Sequence, residues 1–527
     1  MDINYTKSGK VFNQHQYWTK QPLEAIDYFI LKYSNEGDYV LDPFCGTGMT
    51  GVSGSRLNRN VILSDISKIC KHISKGYTSF YNIDETKFSN ALNQVTQNLE
   101  EYYITQCPIC QKNSKILFSI IEEVYSDEFG ISLKQGESLF RKIKQDEPIK
   151  TPRGKNIVFN GFELIQLAYK CECSSTKLYK TPNRDDLIKF KTKNFIDSVL
   201  PNDYFFGKEP VRNFKKGIKK VKDLYSNRNL TVLSHLKYRI DLIENEEIKT
   251  LFKFAFTSVL FNCSLMSRYR KYENTSIKMG TFFIPPVIKD NNVLKSFCAK
   301  VNSIRKSNIE LYSERPLGAV NIIGESASNL KTIDTNSIDY IYTDPPYGDI
   351  LSYSELNLVW ESWLKELSDN ENEMIISKEV GKTENHYFEL FEKFLAEASR
   401  VLKKDKILTI IFHHPNIDYW KRLQSILLNS NFTPIIEELP TRLVSGNKTS
   451  SQHVTKKNTQ SFLAFSFINK KQNQFEVLEL IEEEKLVEIK KLLSSLKTKG
   501  SHYQYDVLIN SLFPNYLIKS EYMNLIK

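Results

Sequence analysis

Residues 338–347 read Ile-Asp-Tyr-Ile-Tyr-Thr-Asp-Pro-Pro-Tyr, an apolar run that ends in an acid, two prolines and an aromatic residue. The run predicts a buried strand, and Pro345 and Pro346 must end it because they lack the N–H that a central strand needs. Ligands bind at the carboxyl ends of strands in open α/β sheets. Asp344 and the backbone carbonyls can accept N–H bonds, and the Tyr347 ring can stack. These groups suit a flat heterocycle with an exocyclic amine.

A second strand end with a binding pattern lies near the start of the chain. Residues 39–41 predict a short strand, 42–48 read Asp-Pro-Phe-Cys-Gly-Thr-Gly, and 49–57 predict a helix. The next predicted strand ends at Asp65. Glycines let the backbone approach a ligand closely, and an acid after the second strand can hold ribose hydroxyls. The pattern favours a nucleotide-binding βαβ unit, although the third glycine is missing. An ordinary strand-to-helix turn is the alternative.

The α/β pattern breaks after the second strand and resumes near residue 318, where a predicted strand leads to Glu325. We therefore predict one α/β sheet of the Rossmann type, with helices on both faces, interrupted by a large α+β insertion. The predicted parts are 1–104, 105–314 and 315–470, followed by a helical C-terminal cap over 471–527. An insertion of roughly 200 residues normally forms its own domain.

Composition sets broad limits on the function. The chain has 527 residues, a net charge of +10 and 41% hydrophobic residues, which is ordinary for a globular protein of two or three domains. The positive charge permits an anionic partner without proving one. No apolar run approaches membrane-spanning length, and the first residues lack a signal-peptide core. We expect a cytoplasmic protein with no membrane partner, in which the eight cysteines form no disulfide framework.

Two cysteine pairs lie inside the predicted insertion. Cys107 and Cys110 flank a proline-containing turn, and Cys171 and Cys173 follow a predicted strand about sixty residues later. Four thiolates can complete a tetrahedral zinc site, although the second pair is one residue shorter than the usual spacing. Such a site would be structural, because four sulfurs leave no open position for water. Four unrelated cysteines are the alternative.

Cations and aromatic residues alternate later in the insertion. Arg268, Arg270 and Lys271 are interleaved with Tyr269 and Tyr272. Such a stretch can contact phosphates and stack bases, which predicts a role in binding DNA. Packing within the protein is the alternative.

Residues 42–48 together with Asp344-Pro345-Pro346-Tyr347 closely resemble the S-adenosylmethionine-dependent DNA amino-methyltransferases, which modify adenine N6 or cytosine N4. The resemblance covers roughly 1–80 and 315–470. It implies a Rossmann-like methyltransferase sheet and a catalytic role for Asp344, Pro345, Pro346 and Tyr347. It also implies that S-adenosylmethionine is bound by Trp18, Lys20, Asp42, Pro43, Phe44, Gly46, Thr47, Gly48, Asp65 and Glu325.

The family implies site-specific methylation of a base that is flipped out of double-stranded DNA, in a restriction-modification or phage-defence system with a separate cognate endonuclease. Aspartate at the position of Asp344 favours adenine N6, because the cytosine N4 enzymes more often carry serine there. The order of the two motifs resembles the group whose target-recognition domain lies in the insertion, but the cysteine pairs depart from its simplest members. Alternatives are a cytosine N4 enzyme, an RNA base-amine methyltransferase, and a zinc-containing nucleic-acid-binding protein with an inactive methyltransferase fold.

Overall fold

The computed structural model describes residues 2–5, 9–127, 157–270, 282–312, 317–412, 414, 417–435, 441–445 and 462–470. Its strands are β1 (Asp2–Tyr5), β2 (Tyr39–Asp42), β3 (Asn60–Ser64), β4 (Ile104–Gln106), β5 (Asn113–Asp127), β6 (Ile157–Lys170), β7 (Leu178–Lys180), β8 (Val287–Asn291), β9 (Val320–Ile323), β10 (Ile338–Thr343), β11 (Leu402–Phe412), β12 (Phe432–Pro434), β13 (Thr441–Ser445) and β14 (Phe462–Asn469). Its helices are α1 (Leu23–Tyr33), α2 (Met49–Arg56), α3 (Lys68–Thr78), α4 (Glu85–Thr96), α5 (Arg184–Lys191), α6 (Lys208–Val211), α7 (Asn227–Asp241), α8 (Glu246–Val259), α9 (Val293–Tyr312), α10 (Tyr353–Leu364), α11 (Glu384–Val401) and α12 (Ile417–Asn429).

The larger sheet has the strand order β1-β13-β14-β11-β10-β2-β3-β9, and β12 pairs with β14. The segment from β11 to β9 is parallel, whereas β14 is antiparallel to β11, β12 and β13. All six residues of β10 are buried, as expected for a central strand covered on both faces. The predicted α/β class is confirmed.

Alternation along β10 distributes side chains between two cores. Tyr340 and Tyr342 join the core that contains α1, α3 and α8, whereas Ile341 joins the core that contains α11 and α12. Successive side chains of a strand point to opposite faces. Helices therefore cover both faces of the sheet, as the sequence predicted.

The register of the central strands brings the two motifs together. Leu41 of β2 lies opposite Ile341 of β10 in a parallel pair. Their carboxyl ends consequently meet at one edge of the sheet, with Asp42 and Thr343 as the last residues of the two strands.

The smaller sheet lies within the predicted insertion and is antiparallel, with the order β4-β5-β6-β7 and β8 beside β5. Helices α7, α8 and α9 follow in the same segment. The Phe254 ring of α8 packs edge-on against Tyr77 of α3, 5.0 Å between centroids, and Trp360 of α10 donates to the Thr257 carbonyl at 3.0 Å. One hydrophobic core thus runs through both regions. The predicted domain boundaries stay a prediction.

Two helical stretches have bounds that differ from those the sequence pattern alone predicts. Residues 67–103 read as one helix from the sequence, whereas the structure divides them into α3 and α4, because the Tyr81 N–H is bound by Asn308 of α9 and Asp84 caps the start of α4. The apolar run over 251–265 also predicts a helix, which in the structure begins at Glu246 and ends at Val259. The predicted cap over 471–527 lies outside the described residues. Within the described ranges, no helix combines the length and apolarity that a membrane crossing needs.

Candidate functional site

One cavity lies at the carboxyl ends of β2, β3 and β10. Its volume is about 1050 Å³, counting the open space at its mouth. Both sequence motifs border it: Asp42, Pro43, Phe44, Cys45, Gly46 and Thr47 from the first, and Asp344 and Pro346 from the second. Asp65 lies on the same wall. Residues of the two predicted loops, which are about 300 positions apart in sequence, therefore border one cavity, although Gly48, Pro345 and Tyr347 do not line it.

Asp42 links the two motifs directly. Its buried carboxylate accepts hydrogen bonds from the Phe44 N–H at 3.2 Å, the Thr50 hydroxyl at 2.6 Å and the Thr343 hydroxyl at 3.0 Å. Thr343 is the residue before Asp344, so this contact fixes one loop relative to the other. Burial raises the pKa of Asp42 to about 7, although the three hydrogen bonds lower it.

Asp65 holds the glycine loop. One carboxylate oxygen accepts the Gly46 N–H at 3.0 Å, and the other accepts the Ser67 N–H at 2.9 Å. Burial raises the pKa of Asp65 to about 6, and the nearby Glu361 adds to the rise. Each carboxylate oxygen has a second lone pair, so Asp65 can still accept from a ligand.

Asp344 is held from two sides. The Gln21 amide donates to its Oδ2 atom at 2.6 Å, and the Tyr347 hydroxyl donates to Oδ1. The Tyr347 ring packs edge-on against Phe412, 5.4 Å between centroids, and Tyr387 donates to the Pro346 carbonyl at 2.7 Å. Pro345 is buried. The strand end is thus a rigid element that presents one oriented carboxylate to the cavity.

The N-terminal segment contributes Lys20 to the cavity wall, whereas Trp18 lies behind it. Lys20 Nζ donates to the carbonyl of Phe12, to the carbonyl of His15 at 2.8 Å and to the Tyr77 hydroxyl at 3.1 Å. Burial lowers the pKa of Lys20 to about 7. Trp18 donates to Asn357 of α10 at 3.1 Å and packs on Trp360.

Gly48 and Glu325 are not part of the cavity wall. Gly48 precedes α2 with φ of +74°, and a Cβ there would lie 2.6 Å from the Ser74 hydroxyl, so the position needs glycine. The Glu325 carboxylate accepts the Thr332 N–H at 3.3 Å, and its carbonyl accepts the Ser64 hydroxyl at 2.7 Å. Both residues support the loops that do border the cavity.

Several residues of the wall carry no sequence motif and were not predicted. They are Gln21, Tyr353, Asn357, Glu361 and Glu373. Glu373 is notable, because its Oε1 accepts the Ser354 N–H at 2.9 Å while its solvent-shielded Oε2 has no hydrogen-bond partner among the described residues. Most of these side chains come from α10 and the segment after it. The sequence of this region has no pattern that distinguishes residues of the cavity wall from residues of the core.

Comparison with known proteins matches two stretches that overlap the predicted ones, although the second extends to residue 504, into the predicted C-terminal cap. Residues 2–76 and 338–504 match the family model described as DNA methylase, a little under half of the chain. Over these residues the chain is similar to the DNA amino-methyltransferases. The predicted resemblance is thereby confirmed.

Three curated proteins that are similar to this chain are type II methyltransferases. It is 46% identical to M2.DpnII of Streptococcus pneumoniae over 50 residues, which are 10% of this chain and 19% of the relative. It is 41% identical to M2.LlaDCHI of Lactococcus lactis subsp. cremoris over 69 residues, 13% and 25% of the two chains. It is 28% identical to M.HpaI of Haemophilus parainfluenzae over 155 residues, 28% and 46% of the two. The chain thus spans less than half the length of these relatives.

The four predicted zinc ligands lie together in the structure. All four sulfur atoms are within 4.8 Å of one another, with Cys107 and Cys173 at 3.7 Å and Cys110 and Cys171 at 3.3 Å. None of the four forms a disulfide. A tetrahedron of sulfurs about 2.3 Å from a zinc ion has edges of about 3.8 Å. The donor set and its spacing therefore fit one zinc ion.

The predicted DNA contacts are only partly described. Arg268 pairs through its backbone with Ile288 of β8, and its side chain is half-buried. Arg270 is half-buried as well and interacts with other groups. Lys271 lies outside the described residues. Their role in DNA binding stays a prediction.

Proposed function

We propose that this chain transfers a methyl group from S-adenosylmethionine to the N6 amine of an adenine in a specific sequence of double-stranded DNA. The observation that carries the proposal is the shared cavity, in which the glycine loop and Asp344 face one space and Asp42 bonds to Thr343. A methyl donor and a base amine must meet within one enclosed site for in-line transfer.

The wall of the cavity supports the choice of cofactor. Asp65 is placed to accept ribose hydroxyls, and the loop of Gly46 gives a ligand close access to the backbone. The carboxylates of Asp42 and Asp65 suit a cationic ligand, whereas their burial without one raises both pKa values. When bound, S-adenosylmethionine supplies an electrophilic methyl group on its sulfonium. Pro43, Phe44 and Thr47 complete the wall around it, and Lys20 lies at the end formed by the N-terminal segment.

Asp344 is the group that would orient the target amine. An exocyclic amine is a weak nucleophile, because its lone pair is delocalised into the ring. The Asp344 carboxylate and the Pro345 carbonyl would accept its two N–H bonds and direct the lone pair. Gln21 and Tyr347 keep the carboxylate in one orientation. Orientation of this kind contributes about 7–11 kcal/mol at most.

The base has to leave the duplex to reach this cavity. A base inside the stack cannot present its amine to Asp344, so it must be flipped out at a cost of a few kcal/mol. Pro346 on the cavity wall and the nearby Tyr347 ring offer flat surfaces for the flipped base.

The resemblance favours adenine over cytosine as the target base, because the first residue of the motif, Asp344, is an aspartate. Base-resolved methylation sequencing of DNA from cells that express the chain tests this choice. We expect N6-methyladenine at one short sequence. N4-methylcytosine at a fixed sequence would overturn the base assignment, and an unmodified genome together with methylated RNA would overturn the DNA assignment.

A structural zinc ion at Cys107, Cys110, Cys171 and Cys173 forms the second part of the proposal. Its support is the close spacing of four thiols in a chain without disulfides at these positions. We expect about one zinc per purified chain, lost in Cys110→Ser and kept in Cys298→Ser, a half-buried cysteine outside the cluster. Equal zinc content in the two variants would contradict the site. A separate cognate endonuclease remains part of the proposal as well.

A further inference from the structure

The outward face of the smaller sheet carries four lysines around an aromatic centre. We call it the lysine face and define it by Lys115, Lys170, Lys177 and Lys289. Lys115 and Lys170 are directly opposite each other on β5 and β6, and Lys289 of β8 is opposite Ile120. Directly opposed residues of a sheet lie on one face. Ala168, two residues before Lys170, faces the same way and pairs with Phe118, which forms the centre.

The aromatic centre of the lysine face is the buried Phe118 ring, and the exposed Tyr179 ring borders it. Lys177 Nζ lies 5.3 Å from the Phe118 ring centroid and 5.2 Å from that of Tyr179, and Lys289 Nζ lies 4.8 Å from Phe118. Tyr179 is 40% exposed, and Tyr269 packs on Phe118 from the other side at 6.1 Å. The rings hold the two ammonium groups in place while leaving their charges available.

The positive charge of this face is not balanced by neighbouring acids. Among the described residues, no carboxylate forms an ion pair with any of the four lysines, whereas Lys10, Lys112 and Lys403 do have such partners. Burial lowers the pKa of Lys289, and the charges of Lys177 and Lys295 lower it further. Like charges directly opposite each other destabilise a sheet. An arrangement of this kind is therefore stabilised when an anion binds.

Acidic residues occupy the other end of the same sheet. Glu122 and Glu163 are opposite each other, beyond Ile120 along β5. The sheet is thus polarised, with its positive end beside the cysteine cluster, since Lys115 and Lys170 are close in sequence to Cys110 and Cys171. The positive end is where an extended anion would be bound.

We propose that the lysine face binds the phosphate backbone of the duplex that carries the target base. The inference rests on the proposed function, which supplies a polyanionic substrate. Lysine ammonium groups bind phosphates as point charges, and such contacts fix the position of a protein on DNA without reading its sequence. The face therefore supplies affinity and register, and the recognition of the target sequence is left to other residues.

The test uses the full chain and a charge-neutralised variant, Lys115→Gln with Lys170→Gln and Lys177→Gln. These three lysines are exposed, so the fold should tolerate the changes. Binding is measured on two short duplexes, one with the methylated sequence and one without, over a range of salt concentrations. The matched control carries Lys71→Gln, Lys87→Gln and Lys306→Gln, three exposed lysines of α3, α4 and α9.

We expect the lysine-face variant to bind both duplexes more weakly, by a similar factor. The slope of log affinity against log salt should fall by about one per lysine removed. Affinity for S-adenosylmethionine should stay unchanged. A slope and an affinity equal to those of the control would overturn the lysine face, as would loss of binding to a structured RNA without loss on the duplexes.

The same experiment separates this inference from the proposed function. Methyl transfer by the unmodified chain at saturating duplex reports the function, whereas the salt slope reports the surface. If the unmodified chain transfers methyl groups but the salt slope is the same with and without the three lysines, only the proposal on the lysine face is overturned. If the salt slope depends on the three lysines but no methyl transfer is detected, only the proposed function is overturned.

Discussion

Asp344 is held by one side chain from a distant part of the chain and by one from its own motif. Gln21 comes from the N-terminal segment, and Tyr347 comes from the motif itself. Two hydrogen bonds to one carboxylate leave it little rotational freedom. The acid is therefore oriented before a substrate arrives, which is how a positioning group lowers a barrier most effectively.

The buried acids of the cavity predict a pH dependence of cofactor binding. The pKa of Asp65 is raised to about 6, so the carboxylate is protonated as the pH falls through that value and accepts ribose hydroxyls less well. Affinity for S-adenosylmethionine should therefore be highest above about pH 7 and fall below about pH 6. Calorimetry between pH 5 and 8 measures it.

The control for this prediction is Asp65→Asn, which cannot ionise. Asp42 and Lys20 each have a pKa of about 7 and titrate nearby, so only the difference between the two proteins isolates Asp65. The variant should bind more weakly at neutral pH and lose the decline near pH 6. An identical decline in both proteins would assign the titration to another group.

At the scale of elements, α3 and α8 approach each other closely at Gly76. A Cβ at this position would lie 2.3 Å from atoms of the Phe254 ring. Gly76→Ala should therefore lower the free energy of unfolding by about 1–3 kcal/mol, the usual cost of overpacking a core. Urea denaturation measures the change.

Gly324→Ala is the matched control, because nothing lies within 4 Å of the Cβ that it adds. This variant should unfold at the same urea concentration as the unmodified chain. Equal midpoints for the two alanine variants would show that α3 and α8 do not pack as described.

The elements show how far sequence reasoning reaches. The strand that ends at Asp344 and the loop that begins at Asp42 could be predicted, because prolines and glycines limit the backbone locally. The break between α3 and α4 could not, since it depends on Asn308 binding the Tyr81 N–H from 227 positions away. Gln21 and Glu373 were missed for the same reason: only the fold brings them to the cavity.

At the scale of the whole molecule, the larger sheet and the predicted insertion share one hydrophobic core. Phe254 and Thr257 of the insertion contact Tyr77 and Trp360 of the sheet region. Large shared apolar surfaces couple the stability of the parts that bury them. The insertion thus contributes to the fold around the cavity as well as to the proposed DNA contacts.

The central claim is that one cavity joins cofactor binding to methyl transfer through Asp344. Asp344→Ala tests it most directly, with calorimetry for S-adenosylmethionine and a transfer assay on duplex DNA measured on the same preparation. We expect cofactor affinity to change little and transfer to fall by about 10²-fold or more, as when the reacting atoms are no longer held in position. Transfer at the rate of the unmodified chain would contradict the account.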